Sequence, residues 1–142
     1  QFDIFTSAIH AAPNTRSDML VKGVAKDKAK SIYRGVIEIK ENAPNSDGYQ
    51  KQDTLLLNEG IEANAIPKLL IGNNEVRCTH GATIGQIDKN KIFYLMSRGL
   101  SEKEAEKTLV KGFFTPLMER ISNEEIKDYI ESIVEERLKW SR

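Results

Sequence analysis

The chain is poor in several features that would otherwise point to a function. Its 142 residues include one cysteine and two histidines, and 21 Lys and Arg offset 21 Asp and Glu. One cysteine excludes an internal disulfide, which favours a reducing, cytoplasmic setting. The charge balance disfavours nucleic acid or an anionic membrane as a partner. No apolar run approaches the roughly 20 residues that a transmembrane helix requires.

Several catalytic and cofactor motifs are missing as well. The sequence contains no phosphate-binding G-x-x-x-x-G-K-[ST] and no dinucleotide-binding G-x-G-x-x-G. It also contains no C-x-x-C, no H-E-x-x-H and no G-x-S-x-G. These absences remove the usual signatures of ATPases, dehydrogenases, zinc proteases and serine hydrolases.

Up to Asp88 the chain alternates short extended segments with turn residues. The segment 31–39 is rich in β-branched and aromatic residues, and it puts Tyr33, Ile37 and Ile39 on one side of a strand. Several short strands without helices between them predict a sandwich, a barrel or a solenoid. Small residues beside aliphatic ones suit a parallel β-helix, although no hexapeptide or nonapeptide repeat is visible. The asparagines expected at its corners are Asn58, Asn64, Asn73 and Asn74.

Beyond Asp88 the apolar residues recur with a helical period. Asp88 is expected to cap a short helix, and Gly99 is expected to end it. The sequence therefore predicts a β domain at 1–88 and a helical domain at 89–142.

Two further helices are predicted from their start signals. Ser101 and Glu104 form a capping box for the first of them, which Gly112 and Pro116 are expected to bend or break. A second box at 122–125 precedes an amphipathic stripe that must pack on the β domain or on a partner protein. The stripe consists of Ile126, Tyr129, Ile130, Ile133, Val134 and Leu138.

The chemically most distinctive segment is Cys-Thr-His-Gly-Ala-Thr at 78–83. Cys78 and His80 are two residues apart in an alternating run, so they should share one face of a strand. Thiolate and imidazole are ligands for soft and borderline metals, but an iron–sulfur cluster takes about four protein ligands. Either the pair completes a metal site with a second subunit, or Cys78 is a small core residue and His80 a hydrogen-bonded imidazole. The other histidine, His10, is interpreted as a strand end.

An ordered set of short motifs resembles the SufB/SufD family, the structural subunits of the SUF iron–sulfur cluster assembly machinery. The set covers most of the chain, from about His10 to Phe113. In order, it consists of Pro-Asn-Thr-Arg-Ser (13–17), Lys-Gly-Val (22–24), Tyr-Arg-Gly (33–35), Asp-Thr-Leu-Leu-Leu (53–57), Cys-Thr-His-Gly-Ala-Thr (78–83), Ile-Phe-Tyr-Leu (92–95), Ser-Arg-Gly-Leu (97–100) and Gly-Phe (112–113).

This resemblance implies a mainly β fold with α-helices, a right-handed parallel β-helix followed by a C-terminal helical domain. It implies a non-enzymatic scaffold that pairs with SufB or with itself and docks the ATPase SufC on its helices. The expected contacts with SufC are Phe93, Arg98, Gly99 and Phe113. The expected cargo is iron or a transient iron–sulfur cluster at a subunit interface. Members of the family are longer, so the chain resembles the C-terminal part of one.

Two positions separate SufB-like from SufD-like members. In SufB a cysteine thought to serve cluster assembly precedes the Asp-Ser-Leu-Leu segment, and this chain has Gln52 there. SufB also has Glu after the motif histidine, where this chain has Gly81. The Cys-x-His-Gly-Ala-Thr form resembles SufD, in which the histidine at the position of His80 is implicated at the interface with SufB. The second interpretation is a divergent SufB-like homodimer in which Cys78 supplies the missing thiolate.

Two other classes stay open at this point. Parallel β-helices also host carbohydrate-active enzymes and acyltransferases, although regular repeats are lacking here. A structural spacer with Cys78 and His80 buried is the third possibility. A β-helix cut between rungs exposes an unpaired edge, so we expect the chain to self-associate.

Overall fold

A computed structural model describes residues 1–138 and divides the chain into two compact units, 1–86 and the part from Ile87 onward. Six strands and then three helices follow one another. The strands are β1 (Phe2–His10), β2 (Arg16–Ala25), β3 (Lys30–Ile39), β4 (Asp47–Leu56), β5 (Glu62–Ile71) and β6 (Arg77–Gln86). The helices are α1 (Lys89–Ser97), α2 (Glu102–Met118) and α3 (Glu124–Leu138).

The first unit is a coil of parallel strands in two sheets. One sheet has the order β1-β3-β5 and the other β2-β4-β6, so successive strands alternate between sheets. All four strand pairs are parallel and in continuous register, with Arg16 beside Asp47 and Asp47 beside Arg77. The parallel strands, and the helices that follow them, confirm the predicted β-helix-like architecture.

The interior of the coil is filled by alternate residues of the middle strands. On β3 the residues Tyr33, Ile37 and Ile39 are buried, as their spacing predicts. On β4 the buried set is partly polar, since it includes Gln50 and Gln52. The buried apolar cluster lies at the end of β3, where Ile37 and Ile39 pack with Ala43 of the following turn.

The corners between β1 and β2 and between β3 and β4 have the same backbone turn. Asn14 and Asn45 both have a φ of 58°, and the Asn14 amide donates to the Pro44 carbonyl in the next turn of the coil. Asparagine accepts this left-handed conformation more readily than most residues do. Asn58 and Asn73 lie at corners, as predicted. The side-chain amide of each donates a hydrogen bond to a backbone carbonyl in the adjacent turn of the coil. The prediction for Asn64 is wrong, because it lies inside β5.

His10 ends β1 and is almost completely buried at the first corner. Its Nδ1 lies 2.7 Å from Thr15 Oγ1 and its Nε2 lies 2.8 Å from Ser17 Oγ. Thr15 Oγ1 is in turn 2.9 Å from Ser46 Oγ in the next rung. Both ring nitrogens are therefore occupied by hydroxyl groups, which fits a structural role for this histidine.

In the helical unit, the first two helices begin where the sequence predicts. Asp88 caps α1 by accepting from the amides of Asn90 and Lys91, and Gly99, with a φ of 100°, follows the end of that helix. The capping box of Ser101 and Glu104 is present at the start of α2. The buried residues of α2 are Ala105 and Val110.

Two details of the helix predictions are wrong. α2 is not broken at Gly112 or Pro116, since it runs on to Met118. Pro116 removes the bond that residue 116 would otherwise donate to the Gly112 carbonyl, yet the helix continues for two more residues. At the start of α3 the capping side chain is that of Asn123, which accepts from the Ile126 amide.

The apolar stripe of α3 stays largely open to solvent. Ile126, Tyr129 and Ile133 are exposed, while Ile130 and Val134 are half-buried. Glu135 of α3 pairs with Lys107 and Lys111 of α2. No helix in the described part, 1–138, is long and apolar enough to cross a membrane.

Candidate functional site

The Cys-x-His pair lies on β6, an outer strand of its sheet. In the parallel register Cys78 stands beside Gly48 and His80 beside Gln50. Gly48 and Gln50 are buried inside the coil. Because in-register neighbours on parallel strands point to the same side, Cys78 and His80 share the interior-facing side of β6, as predicted.

Cys78 is half-buried and packs against the core. It contacts the cluster formed by Ile37, Ile39 and Ala43. A Cβ atom at Gly48 would lie only 3.0 Å from Cys78 Sγ, so the glycine leaves room for the sulfur. Burial, and secondarily the charge of Asp47, raise the pKa of the Cys78 thiol above its usual value. At neutral pH the protonated thiol therefore predominates.

His80 differs from Cys78 in being exposed. Its neighbours toward the end of the strand, Ala82 and Ile84, are exposed too, because β6 is paired on one side only. Gly81 points to the other side of β6, where a Cβ would meet no atom within 4 Å. An exposed imidazole beside an open strand edge is free to meet a ligand or another chain.

Two buried glutamines lie directly next to this strand. Gln50 is fully buried beside His80, and Gln52, the residue at the SufB cysteine position, is buried beside Ala82. Gln52 Nε2 donates to Thr54 Oγ1. Gln50 Oε1, Gln50 Nε2 and Gln52 Oε1 have no hydrogen-bond partner in the described structure.

The described residues do not bring together a complete metal site. Within 1–138 no group of three or more His, Cys, Asp and Glu side chains is placed to hold an ion. Cys78 and His80 therefore supply two donors at most, and any cluster or iron ion would need ligands from elsewhere.

The predicted partner-binding residues lie on α1, on its end and on α2. Phe93 is 73% exposed, and Arg98 caps the end of α1 directly before Gly99. The Arg98 guanidinium lies 5.3 Å from the ring centroid of Tyr94 and donates to its hydroxyl at 3.0 Å. Phe113 is only half-buried and packs edge-on against Phe114, with 5.4 Å between the rings.

The sequence analysis missed Gln50 and Tyr94. Tyr94 belongs to the Ile-Phe-Tyr-Leu motif, and its spacing of four residues to Arg98 on a helix is a signal for contact. Gln50 gave no signal, because glutamine is usually a surface residue and its burial follows only from the strand register.

The fold and these residues define a class of protein: a parallel β-coil with a histidine on its open strand, joined to a helical unit that exposes aromatic residues. A family model described as "SUF system FeS cluster assembly, SufBD core domain" matches residues 1–113. The chain therefore belongs to the SufBD family of the SUF iron–sulfur cluster assembly system, as the resemblance predicted.

Similar proteins include two SufD proteins. The chain is 34% identical to the iron–sulfur cluster assembly protein SufD of Bacillus subtilis (strain 168) over 134 residues, which are 94% of this chain and 31% of that protein. It is 33% identical to SufD of Escherichia coli (strain K12) over 122 residues, 86% of this chain and 29% of that protein. A SufBD family protein of Staphylococcus saprophyticus is 34% identical over 122 residues, 86% of this chain and 26% of that protein. The chain thus spans about a third or less of the length of these relatives.

Proposed function

We propose that this chain serves as a SufD-like, non-enzymatic scaffold in the cytoplasm. Its β-coil pairs with a SufB-type paralogue or with a second copy, and its helical unit docks a SufC-type ABC ATPase. Iron and sulfide, or a transient cluster, are the cargo at the paired interface. The observation that carries this proposal is the exposure of His80 on the open strand β6.

Pairing through the coil follows from its open edges. β5 and β6 each pair on one side only within the described sheets, with β3 and β4. Unpaired strand edges attract further strands. A partner chain at this edge would stand next to His80, so it could supply the ligands that Cys78 and His80 lack.

The docking proposal rests on the exposed face of α1. Phe93, Tyr94 and Met96 are all exposed, and Arg98 stacks on Tyr94. Aromatic residues and arginine are enriched in the residues that dominate protein–protein interfaces. Since the sequence has no phosphate-binding loop, ATP hydrolysis would reside in the partner.

A SufB-like homodimer that uses the Cys78 thiolate is less well supported. Cys78 packs on the apolar cluster around Ile37, and its raised pKa disfavours the thiolate that binds metals. In the SufD-like interpretation Cys78 only packs against the core, and His80 is the donor that the chain contributes.

The test is co-purification of the chain with its SUF partners, comparing wild type with His80→Ala. Iron and acid-labile sulfide are measured after anaerobic reconstitution, with retention of the ATPase as the control for assembly. We expect the variant to keep its partners and to lose iron and sulfide. If iron and sulfide are unchanged in a complete complex, the assignment of His80 is wrong and the chain acts only as a structural subunit.

A further inference from the structure

The outer face of the β1-β3-β5 sheet carries exposed apolar residues. Outward residues alternate with interior ones along each strand, and four large apolar ones on this face are between 40% and 64% exposed. They are Phe5, Ile9, Ile66 and Leu70. Val36 lies half-buried between them. All five belong to the coil, and exposed apolar faces of this kind mark sites of contact with other molecules.

The strand register arranges this face in three rows that run across the sheet. The rows are Phe5–Arg34–Ile66, Ser7–Val36–Lys68 and Ile9–Glu38–Leu70. Arg34 and Glu38 therefore stand at equal distances along β3 on either side of Val36. Each of the two charges is flanked by two large apolar side chains. The face has the same pattern at both ends, with the sign of the central charge reversed.

This pattern is complementary to itself when the strands run in opposite directions. Two sheets that pack face to face lie about 10 Å apart with their strands roughly aligned. If a second copy is reversed about Val36, Arg34 of each copy faces Glu38 of the other, and the apolar residues of the outer rows face one another. With the strands in the same direction, Arg34 would face Arg34 and Glu38 would face Glu38. Of the two arrangements, the reversed one places opposite charges together.

We propose that this face binds a second copy of the chain with its strands reversed, so that Arg34 pairs with Glu38 on both sides of a two-fold axis at Val36. Within one chain Arg34 pairs with Asp3, and Glu38 pairs with Lys40. The contact between copies joins these pairs into a series of charges that alternate in sign. The apolar residues of the outer rows lose their contact with water at the same time, which favours association.

Lys68 ends the middle row on β5 and meets the same residue of the other copy in this arrangement. It lies at the rim of the face, where a long side chain can turn its ammonium group to solvent. The face is also distinct from the open edges of β5 and β6, through which the proposed function pairs the coil. This inference therefore goes beyond that function and does not depend on His80.

The test measures self-association of the chain alone by sedimentation over a concentration series. Arg34→Glu and Glu38→Arg each place like charges together at two points of the dimer, so each should raise the dissociation constant by about tenfold or more. The double variant restores opposite charges, and its dissociation constant should return close to that of wild type. Lys28→Glu is the control for net charge, because Lys28 is exposed in the turn between β2 and β3. Its association should equal that of wild type.

Restoration by the double variant reports a contact between copies. Exchanging the two charges leaves Asp3 and Lys40 each beside a like charge, as in the single variants, so any destabilisation within one chain remains. Amide spectra show whether each variant is folded.

The outcomes separate this inference from the proposed function. A wild-type chain that stays monomeric would overturn the inference, as would a double variant that associates no more tightly than the single ones. Single variants that associate as wild type does would overturn it too, and the copies would then meet at their open strand edges, as the proposed function has it. Unchanged iron in the His80→Ala complex would remove the metal role of His80 and leave this face as the contact between copies.

Discussion

The two units of the molecule are stabilised in different ways. The coil of residues 1–86 is built from four long parallel strand pairs, and its middle strands bury almost every second residue. In the helical unit α1 buries no residue and α2 buries two, whereas six large apolar residues of α1 and α3 are exposed. The coil exposes large apolar residues as well, but these lie on its outer strands β1, β5 and β6, while its middle strands are buried. Among the described residues the helical unit has no comparable buried centre, and its exposed apolar residues are available to a binding partner.

The largest effect is expected from the core of the coil. Ile37 is fully buried in the cluster with Ile39 and Ala43, so Ile37→Ala removes apolar contacts and leaves a cavity. Such truncations cost about 2–5 kcal/mol. Chemical denaturation should show this loss in the free energy of unfolding.

Ile133→Ala is the matched control in the helical unit. Ile133 is 38% exposed on α3, and substitutions at such positions usually change stability by less than about 0.5 kcal/mol. Equal losses for Ile37→Ala and Ile133→Ala would break the contrast between the buried centre of the coil and the open face of α3.

The next effect concerns binding rather than stability. Phe93→Ala should leave the unfolding free energy within about 0.5 kcal/mol of wild type, because its ring is already in solvent. If α1 is the docking surface, affinity for the SufC-type ATPase should fall by about tenfold or more. Calorimetric titration of the chain with the ATPase measures this change.

Tyr129→Ala provides a comparison on α3, since Tyr129 is 67% exposed. Its affinity for the ATPase should stay close to wild type. A loss in Tyr129→Ala without one in Phe93→Ala would move the docking surface from α1 to the apolar stripe of α3.

The difference between the units also explains what could be predicted from the sequence. Capping at Asp88 and Ser101 was predictable because a helix start depends on side chains within three residues. The shared face of Cys78 and His80 needs only the alternation of a strand. These features are local, and the structure confirms them.

The features that were missed depend on pairing across rungs. Ala-Pro-Asn-Thr at 12–15 returns as Ala-Pro-Asn-Ser at 43–46, and the same separation of 31 residues joins paired positions of β2 and β4. A search for short repeats does not find a period of this length. The burial of Gln50 and the exposure of His80 likewise follow from which strand lies beside which, and that is fixed only by the complete coil.

The smallest effect is expected from exposed ion pairs, which can be compared between the two units. Glu135 of α3 pairs with Lys111 and Lys107 of α2, and Asp47 of β4 pairs with Arg77 of β6. The Asp47–Arg77 pair lies on strands already joined by a backbone ladder, whereas the Glu135 pairs connect two separate helices. We therefore expect Glu135→Gln to speed amide exchange in α3, and Asp47→Asn to leave exchange in the coil unchanged.

The pH dependence of these pairs has a defined sign. Lys111 and then Lys107 hold the pKa of Glu135 below its usual value of 4.5, and Arg77 holds that of Asp47 below 3.8. A carboxylate with a lowered pKa contributes stability above its unfolded pKa and loses it as the pH falls through the folded one. Protection of the α3 amides, which is their exchange corrected for the intrinsic rate at each pH, should therefore fall below pH 4.5 in wild type but not further in Glu135→Gln. The same loss of protection in both proteins would mean that α3 is held by its half-buried apolar residues, Ile130 and Val134, rather than by these ion pairs.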